Sequence, residues 1–432
     1  MPESKRRKKK GSPSRRRPPT RRPPGDELPP VEGIIRTILD GGTELLGLDD
    51  PLEVEVWASG ALGTTYKPPL PITVQDRFGE AVWDGVVSRA EAEGGATSLA
   101  VLRALGAVAS DPVASRATET ADRIAAGGTT EPAWGAEIGT AELVDAWRLA
   151  DPYGDQTMYF ASFRYPGRPA HALTALYDEN LGAIVKDAGV GTVADDARAR
   201  AAEDPDTEVE DIDASALAGA VRSAIASGDL YLDNDWTPEF KELRALLLAR
   251  MRGLPAGEPR ETVPPDDAAR EALVAEFLVR PGAPPDDDVT RAILDHCLTA
   301  RCDFGDGDPL RWSPTAVEMF LLDFLPRKVA LDTGQIRAMP DVLRRWVGFA
   351  LERRGLERRW IDETQAAVER FIPEFRRAVT DPSSFGPAKA MTNAMLADGI
   401  DLLDPEAVQA WIEAFNARPF EERDEFLGDL TP

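Results

Sequence analysis

The sequence is poor in the residues on which several common kinds of protein depend. It has two cysteines and two histidines in 432 residues. A disulfide-built scaffold is therefore excluded, and a Ser–His or Cys–His catalytic pair has few options. Two cysteines suit a reducing compartment, so we expect a cytoplasmic protein. No run of about 18 apolar residues occurs and no apolar segment follows the basic start, so we expect neither a membrane span nor a secretory signal.

Several short motifs of catalysis and nucleotide binding are also missing. The chain has no G-x-x-x-x-G-K-[ST] phosphate loop, no H-E-x-x-H zinc helix and no G-x-S-x-G nucleophile turn. It does contain a G-x-G-x-x-A stretch, "GVGTVA" (residues 189–194), but the strands before it look antiparallel instead of belonging to a βαβ unit. A capped turn explains this stretch without a dinucleotide. We therefore expect no cofactor.

Charge is abundant, and it is unevenly distributed along the chain. Residues 1–25 hold eleven basic residues and one acid, which gives this segment a charge of +10. The remaining residues hold 39 basic and 74 acidic side chains, a charge of −35. A basic arm thus precedes a strongly acidic body.

The basic arm is the strongest functional signal in the sequence. Residues 4–25 offer no apolar side chain to bury, so we predict that residues 1–27 form a disordered arm. Such an arm binds polyanions by counterion release, and we expect contact with nucleic acid or the ribosome through residues 1–25. Four alternatives remain: a solubility tail, contact with the acidic body, contact with anionic lipid, and a misassigned start of the gene. The residues of the predicted polyanion site are Lys5, Arg6, Arg7, Lys8, Lys9, Lys10, Arg15, Arg16, Arg17, Arg21 and Arg22.

After the arm, the pattern predicts a mainly α-helical protein with a small antiparallel β meander. Residues 28–130 and 288–432 are predicted to be helical domains, and residues 131–253 an α+β domain. Residues 254–287 are predicted to be Pro-rich linkers that flank a short helix. Four helix starts are indicated by a capping residue followed by proline: Asp50-Pro51, Asp111-Pro112, Ser313-Pro314 and Asp404-Pro405.

The meander is predicted from a change of period near Trp147. Three strands are indicated by "QTMYFASFRY", "HALTALYD" and "AIVKDA", and "TEVEDID" (residues 207–213) is a further candidate strand. We expect the central residues Phe160, Phe163, Leu173 and Ile184 to be buried. His171 lies on the second of these strands between alanines, which favours a core or edge histidine over a catalytic base.

A set of charged residues lies at the ends of these strands. Carboxylates beside a lysine on a hairpin are typical of metal-dependent nucleases, but Lys186 lacks the acid two positions before it that such sites need. Ordinary turn chemistry is the competing interpretation, because Asp-Pro-Tyr-Gly and Asp-Glu-Asn-Leu-Gly are turn sequences. The catalytic candidates are Asp151, Asp155, Asp178, Lys186 and Asp187.

The stretch "DHCLTARCDFGDGD" (residues 295–308) is the best candidate for a metal site. Its possible zinc ligands are His296, Cys297 and Cys302. Neighbouring residues on a helix point about 100° apart, however, and the Asp/Gly run lacks the twelfth-position Glu of a calcium loop. We therefore expect no metal here and interpret the stretch as a helix end followed by a turn. Four Arg pairs between residues 344 and 377 are likewise interpreted as salt-bridged helix faces, because acids are interleaved with them.

Much of the chain after the arm resembles a family of uncharacterised actinobacterial proteins. The resemblance is carried by "WASGALGT" (residues 57–64), "DPYGDQ" (151–156), "LYDENLGAIVKDA" (176–188), "PLRWSPTAVEMFLLDFLPRKVA" (309–330) and "AVQAWIEAFNARPFEER" (407–423). It implies no activity, and no functional residue is carried over from it.

The leading hypothesis is a non-catalytic binding or regulatory protein whose basic arm contacts nucleic acid or another polyanion. One alternative is a hydrolase-like enzyme with a carboxylate site at the meander, and another is a partner-binding scaffold. The arrangement of the meander residues discriminates between them. A groove that gathers Asp151, Asp155, Asp178 and Lys186 favours the enzyme, whereas scattered positions on the surface favour the binding protein.

Overall fold

The computed structural model describes residues 28–70, 72–192, 197–231, 236–259 and 263–419. Helices dominate these ranges, and one antiparallel sheet lies in the middle of the chain. The fold is therefore mainly α with a small β meander, as predicted. The predicted disorder of the arm, residues 1–27, lies outside the described residues. The helices are Glu32–Gly41 (α1), Pro51–Gly63 (α2), Ile72–Glu93 (α3), Gly95–Val108 (α4), Val113–Ala126 (α5), Ala197–Glu203 (α6), Ala214–Asp229 (α7), Pro238–Arg252 (α8), Asp267–Leu278 (α9), Asp288–Cys302 (α10), Pro314–Glu318 (α11), Leu325–Lys328 (α12), Thr333–Arg354 (α13), Arg358–Ala378 (α14), Pro387–Ala397 (α15) and Pro405–Asn416 (α16).

The first five helices share one hydrophobic core. The most deeply buried members of this core include Leu99, Leu102 and Leu105 of α4, together with Trp134. Asp50 caps α2 by accepting a hydrogen bond from Leu52 N, as the Asp-Pro pair predicted. The prediction for Asp111 was wrong, because α5 begins at Val113 with Pro112 as its flanking residue. Asp111 instead accepts hydrogen bonds from the backbone N–H and the hydroxyl of Ser115, one turn into the helix.

The sheet has five strands, two more than the three that were firmly predicted. They are Glu142–Ala150 (β1), Gln156–Arg164 (β2), Ala170–Asp178 (β3), Ile184–Thr192 (β4) and Glu208–Asp211 (β5), in the order β4-β3-β2-β1-β5, and every pair is antiparallel. The candidate strand at residues 207–213 is confirmed as β5. The sequence analysis missed β1, because Glu142, Asp145 and Arg148 interrupt its apolar residues.

One face of the sheet packs against α7 and α8, and the other face is only partly covered. Phe163, Leu173 and Ile184 are almost fully buried on the helix side, as predicted. Phe160 was also predicted to be buried, but it is half-buried because its side chain points to the opposite face. There it stacks on Trp147, its cross-strand partner, with ring centroids 3.9 Å apart. Antiparallel pairing also removes the βαβ context that a dinucleotide site at residues 189–194 would need.

Helix α8 joins the sheet to the N-terminal helices. Ser59 of α2 donates to Glu242 O at 2.6 Å and accepts from Leu246 N at 2.9 Å, so its hydroxyl bridges the two helices. The approach is close enough to require glycine at position 63, where an added Cβ would lie 2.4 Å from Lys241 O. The two helices are therefore in backbone contact.

The C-terminal helices enclose a separate core around Trp312, Trp346 and Phe375. Ser313 caps α11 as predicted, but the helix that follows is not regular. Residues Met319–Phe324 form a π-helix between α11 and α12, and Pro326 follows directly after it. At the end of the chain, Asp404 caps α16, whose described residues are mostly exposed apart from Phe415. None of the helices in the described ranges is both long enough and apolar enough to cross a bilayer.

Candidate functional site

A cleft with a volume of about 780 Å³ lies where two turns of the sheet face the C-terminal helices. Four of the five predicted catalytic candidates line it: Asp151, Asp155, Asp178 and Lys186. Residues that lie far apart in the sequence complete its walls. The other lining residues are Leu149, Ala150, Pro152, Tyr153, Gln156, Met158, Leu176, Asn180, Leu181, Thr207, Pro314, Thr315, Met319, Trp360 and Glu363.

Asp151 organises the turn between β1 and β2. One of its carboxylate oxygens accepts a hydrogen bond from Tyr153 N at 2.8 Å, and the other accepts from Gln156 N at 2.6 Å. Gly154 takes a positive φ of 75°, which suits glycine at this point of the turn. The turn interpretation of this sequence is therefore confirmed. Both of these donors are backbone N–H groups, so neither bond pairs the Asp151 carboxylate with a cation.

Asp178 plays the equivalent part in the turn between β3 and β4. Its Oδ1 accepts from Asn180 N at 3.0 Å and Leu181 N at 3.2 Å. Its Oδ2 accepts from Gln156 Nε2 at 3.0 Å and faces Lys186 Nζ at 3.5 Å. The carboxylate is thus surrounded by donors, and its charge is balanced by the lysine beside it.

Asp155 belongs to a buried chain of charges that the sequence analysis did not foresee. Its Oδ1 accepts from Arg311 Nη1 at 2.6 Å. Arg311 also donates to Asp306, and Asp306 in turn accepts from Arg301. The side chains of Arg301, Asp306 and Arg311 are more than nine-tenths buried, and that of Asp155 is nearly so. Within this chain of charges, two cations balance two carboxylates. Burial raises the pKa of Asp155, and the Arg311 charge opposes that rise.

An aromatic wall closes one side of the cleft. The Tyr153 hydroxyl donates to Glu363 Oε2 at 2.7 Å, and its ring meets the Trp360 ring edge-on with centroids 5.6 Å apart. Arg354 donates to Tyr153 O at 2.8 Å and holds the turn against α13. Burial raises the pKa of the Tyr153 phenol, so it stays protonated and acts as a donor. This wall could not be predicted from the sequence, because Tyr153 lies more than 200 positions before Trp360 and Glu363.

The floor of the cleft is apolar. Leu149, Met158 and Leu176 point from the partly covered face of the sheet into it. Met319, at the start of the π-helix, contributes a flexible side chain from the other side. π-Helical turns are rare and are often found at functional sites. The cleft therefore combines an apolar floor, an aromatic wall and a charged rim.

Asp187, the fifth candidate, lies outside the cleft. Its Oδ1 accepts from the Thr237 hydroxyl at 2.5 Å and from Ala188 N at 2.8 Å. It links β4 to the start of α8, where Thr237 is the capping residue. Asp187 is therefore a structural residue of the sheet–helix junction.

The candidate metal ligands His296, Cys297 and Cys302 all lie on α10. Cys297 is fully buried and Cys302 is nearly so, and both are free thiols. Burial raises the pKa of Cys302 to about 11, raises that of Cys297 further, and lowers the pKa of His296. Within the ranges that the structure describes, no three metal-ligating side chains are grouped so as to hold an ion.

The arginines of the C-terminal part pair mainly with acids. Arg345 binds Asp341, Arg353 binds Glu276 and Arg358 binds Asp362. These pairs lie on exposed helix faces, as the interleaved acids predicted. The basic residues of the arm lie outside the described residues, so the structure gives no position for the predicted polyanion site.

Comparison with known proteins yields no relative. No protein-family model, curated protein or solved structure matches this chain.

Proposed function

We propose that this chain is a non-catalytic binding protein that holds a small organic cation in the cleft. The observation that carries the proposal is the state of the cleft carboxylates. Asp151, Asp155 and Asp178 each accept at least one short hydrogen bond from within the protein. Carboxylates held in this way are fixed in position before a ligand arrives. Little ordering is then needed on binding, which favours ligand recognition.

The cleft gathers Asp151, Asp155, Asp178 and Lys186, which favours the hydrolase alternative, but the hydrogen bonds of these residues argue against it. A general base must be free to take a proton from substrate or water. Asp178 is enclosed by four donors, and Asp155 is paired with a buried arginine. The described residues also offer no cluster of ligands for a catalytic metal. Lys186 faces the Asp178 carboxylate at 3.5 Å and serves as its charge partner.

The charge of the cleft favours a cation. Among the described residues, its lining carries four carboxylates, those of Asp151, Asp155, Asp178 and Glu363, and one cation, Lys186. Arg311, Arg354 and Arg359 contact lining residues from outside. Ionised carboxylates have about four acceptor sites each, so those of Asp151 and Glu363 retain capacity for a ligand. Tyr153 supplies a ring surface that attracts a cation, whereas the Trp360 ring already carries the Arg359 guanidinium 4.4 Å from its centroid. The apolar floor would bury the hydrocarbon part of an amine.

Calorimetric titration with 4-phenylbutylamine tests the proposal, and 4-phenylbutanol is the neutral analogue. We expect the amine to bind at least about tenfold more tightly than the alcohol, which corresponds to one charge-assisted hydrogen bond. Glu363→Gln should weaken amine binding about two- to fivefold, because this carboxylate is exposed. Glu374→Gln is the matched control: it lies three turns further along α14, is exposed and does not line the cleft.

Equal binding of amine and alcohol would refute the cation proposal. The enzyme alternative is tested separately with p-nitrophenyl esters, phosphates and glycosides. Turnover of any of these that disappears in Lys186→Ala would replace the binding proposal with a catalytic one.

We also propose that the arm contacts nucleic acid or another polyanion. Support comes from the sequence: a charge of +10 within residues 1–25, attached to a body of −35. The free thiols Cys297 and Cys302 suit a reducing compartment, so we propose a cytoplasmic location in which such polyanions are abundant. The arm and the cleft would then serve two separate partners.

A further inference from the structure

A second cavity, of about 520 Å³, lies on the other side of the sheet from the cleft floor. It is bounded by the first turn of α2, the turn between β2 and β3, and the end of β4. Its walls are mainly apolar, with Leu52, Val56, Pro169, Ala170 and Val190 among them. This size lies within the range of about 300–1,000 Å³ that is usual for small-molecule sites.

The inner end of the cavity rests on a buried polar network. Glu55 is 1% exposed, and its Oε2 pairs with Arg250 Nη2 at 2.5 Å. The same oxygen accepts from the Tyr165 hydroxyl at 2.7 Å, while its other oxygen accepts from Gly139 N at 2.7 Å. Arg250 also donates to the Tyr165 oxygen at 2.8 Å. These contacts hold Glu55, Tyr165 and Arg250 in place, so they form a fixed base for the side chain above them.

That side chain is His171, which lines the cavity and is 6% exposed. Burial, aided by the Arg250 charge, lowers the His171 pKa to about 4, so the ring is neutral near pH 7. Its Nε2 faces Arg250 Nη2 at 3.5 Å. Because a guanidinium can only donate, Nε2 takes the acceptor role and the ring proton lies on Nδ1. Among the described residues, Nδ1 has no hydrogen-bond partner.

The mouth of the cavity is not suited to an anion. Asp50 and Glu53 lie there, and Arg168, the one cation among the described lining residues, is held by a bidentate pair with Glu137. Val190 is also at the mouth and is 37% exposed although it is a large apolar residue. A ligand that covers Val190 and reaches inward to His171 would bury apolar surface against the walls. It would also offer an acceptor to the His171 Nδ1–H.

We propose that this cavity binds a neutral, flat, apolar molecule that carries one hydrogen-bond acceptor, such as a carbonyl, and that the Nδ1–H of His171 donates to that acceptor. The site is independent of the cation cleft, because the two share no lining residue. An apolar ligand without an acceptor would leave the buried donor unpaired, which weakens binding.

The test uses two probes of matched shape, 2-acetylnaphthalene and 2-ethylnaphthalene, whose binding to the full chain is followed by saturation-transfer NMR and calorimetry. We expect the acetyl compound to bind about tenfold more tightly than the ethyl compound, which is the gain in affinity expected from one buried hydrogen bond. His171→Phe should reduce acetyl binding to the level of the ethyl compound while ethyl binding persists. Val190→Trp, which fills the mouth, should weaken both probes.

Three results would overturn the inference: no binding of either probe, equal binding of the two probes to the unaltered protein, or binding that Val190→Trp leaves unchanged. The comparison of the two probes on the unaltered protein does not depend on any variant folding correctly. Thermal melting of each variant shows whether a loss of binding reflects the site or the fold.

Discussion

Arg311 donates from Nη1 to the Oδ1 of Asp155 over 2.6 Å, although the two residues stand 156 positions apart in the chain. The bond ties the turn between β1 and β2 to the segment that leads into α11. Arg311 is 3% exposed and Asp155 is 9% exposed, so water does little to screen the pair. The cleft depends on this tie, because Asp155 forms part of its lining.

Replacing Arg311 should therefore destabilise the protein strongly. Arg311→Met leaves Asp155 and Asp306 buried with too little positive charge, and we expect a loss of about 3–5 kcal/mol in the free energy of unfolding. Arg353→Met is the matched control. It breaks an exposed pair with Glu276, for which about 0–1 kcal/mol is expected. Denaturation in urea measures both, and similar losses for the two variants would contradict the prediction.

The acid stability of the protein should depend on His171. The unfolded state takes up a proton at this side chain below about pH 6.5, whereas the folded state, with its pKa lowered to about 4, does so only near pH 4. Stability should therefore fall as the pH drops from about 6.5 to about 4, by up to about 3 kcal/mol from this group. His171→Gln should flatten that part of the profile.

The second histidine complicates this profile and also provides its control. Burial lowers the pKa of His296 too, so it contributes a loss of the same sign. His296→Gln should remove only that share and leave the His171 contribution in place. Unfolding measured at several pH values between 4 and 7 separates the two. An unchanged pH slope in His171→Gln would show that folding does not lower the pKa of His171.

Binding of polyanions should require the arm and should weaken steeply with salt. If about six phosphates are neutralised, the log–log salt slope for duplex DNA should be about −5. Sequence preference should be slight, because the arm has no aromatic residue to stack on bases. Fluorescence anisotropy on random duplex and single strands measures this for the full chain, a chain that starts at Asp26 and the isolated arm peptide.

The isolated arm should bind more tightly than the full chain, because the acidic body repels the polyanion. If the chain that starts at Asp26 binds as tightly as the full chain, the interaction belongs to a surface other than the arm. Absence of binding by the full chain at low salt would refute the polyanion proposal.

Both thiols should react slowly in the folded protein. Burial raises the pKa of Cys302 to about 11 and that of Cys297 above it, so little thiolate forms at neutral pH. Labelling with an aromatic disulfide reagent should be slow in buffer and rapid in guanidinium chloride, with Cys302 ahead of Cys297. Elemental analysis of the same sample tests for zinc. Near-stoichiometric zinc that is lost in Cys297→Ser/Cys302→Ser would overturn the expectation that no metal binds.

Local patterns in the sequence predicted the elements of the fold well. The alternation of residues in β2 and β3, the caps at Asp50 and Ser313, and the turn at Asp151 all follow from the chemistry of a few neighbouring residues. β1 was missed because charged residues break its alternation. These charges are tolerated since they pair with neighbours, as Arg148 does with Glu210 on β5.

The cleft was predicted only in part. Asp151, Asp155 and Asp178 were identified because strand ends bring charged residues together, and two of them proved to be turn acceptors. The aromatic wall and Arg311 could not be predicted, because no local pattern specifies which helix packs against a turn. The second cavity was missed for the same reason, although His171 was expected to be a core or edge histidine and is buried.

The π-helix at Met319–Phe324 has a geometric consequence for the wall of the cleft. A π-turn accommodates one residue more than an α-turn, so the residues before it are rotated by about 100° relative to those after it. Thr315 and Met319 can thus face the cleft while Phe324 and Leu325 remain in the core. Deleting one residue within this segment would restore a continuous α-helix and turn Thr315 away from the cleft. A single inserted residue therefore decides which side chains of this segment line the cleft.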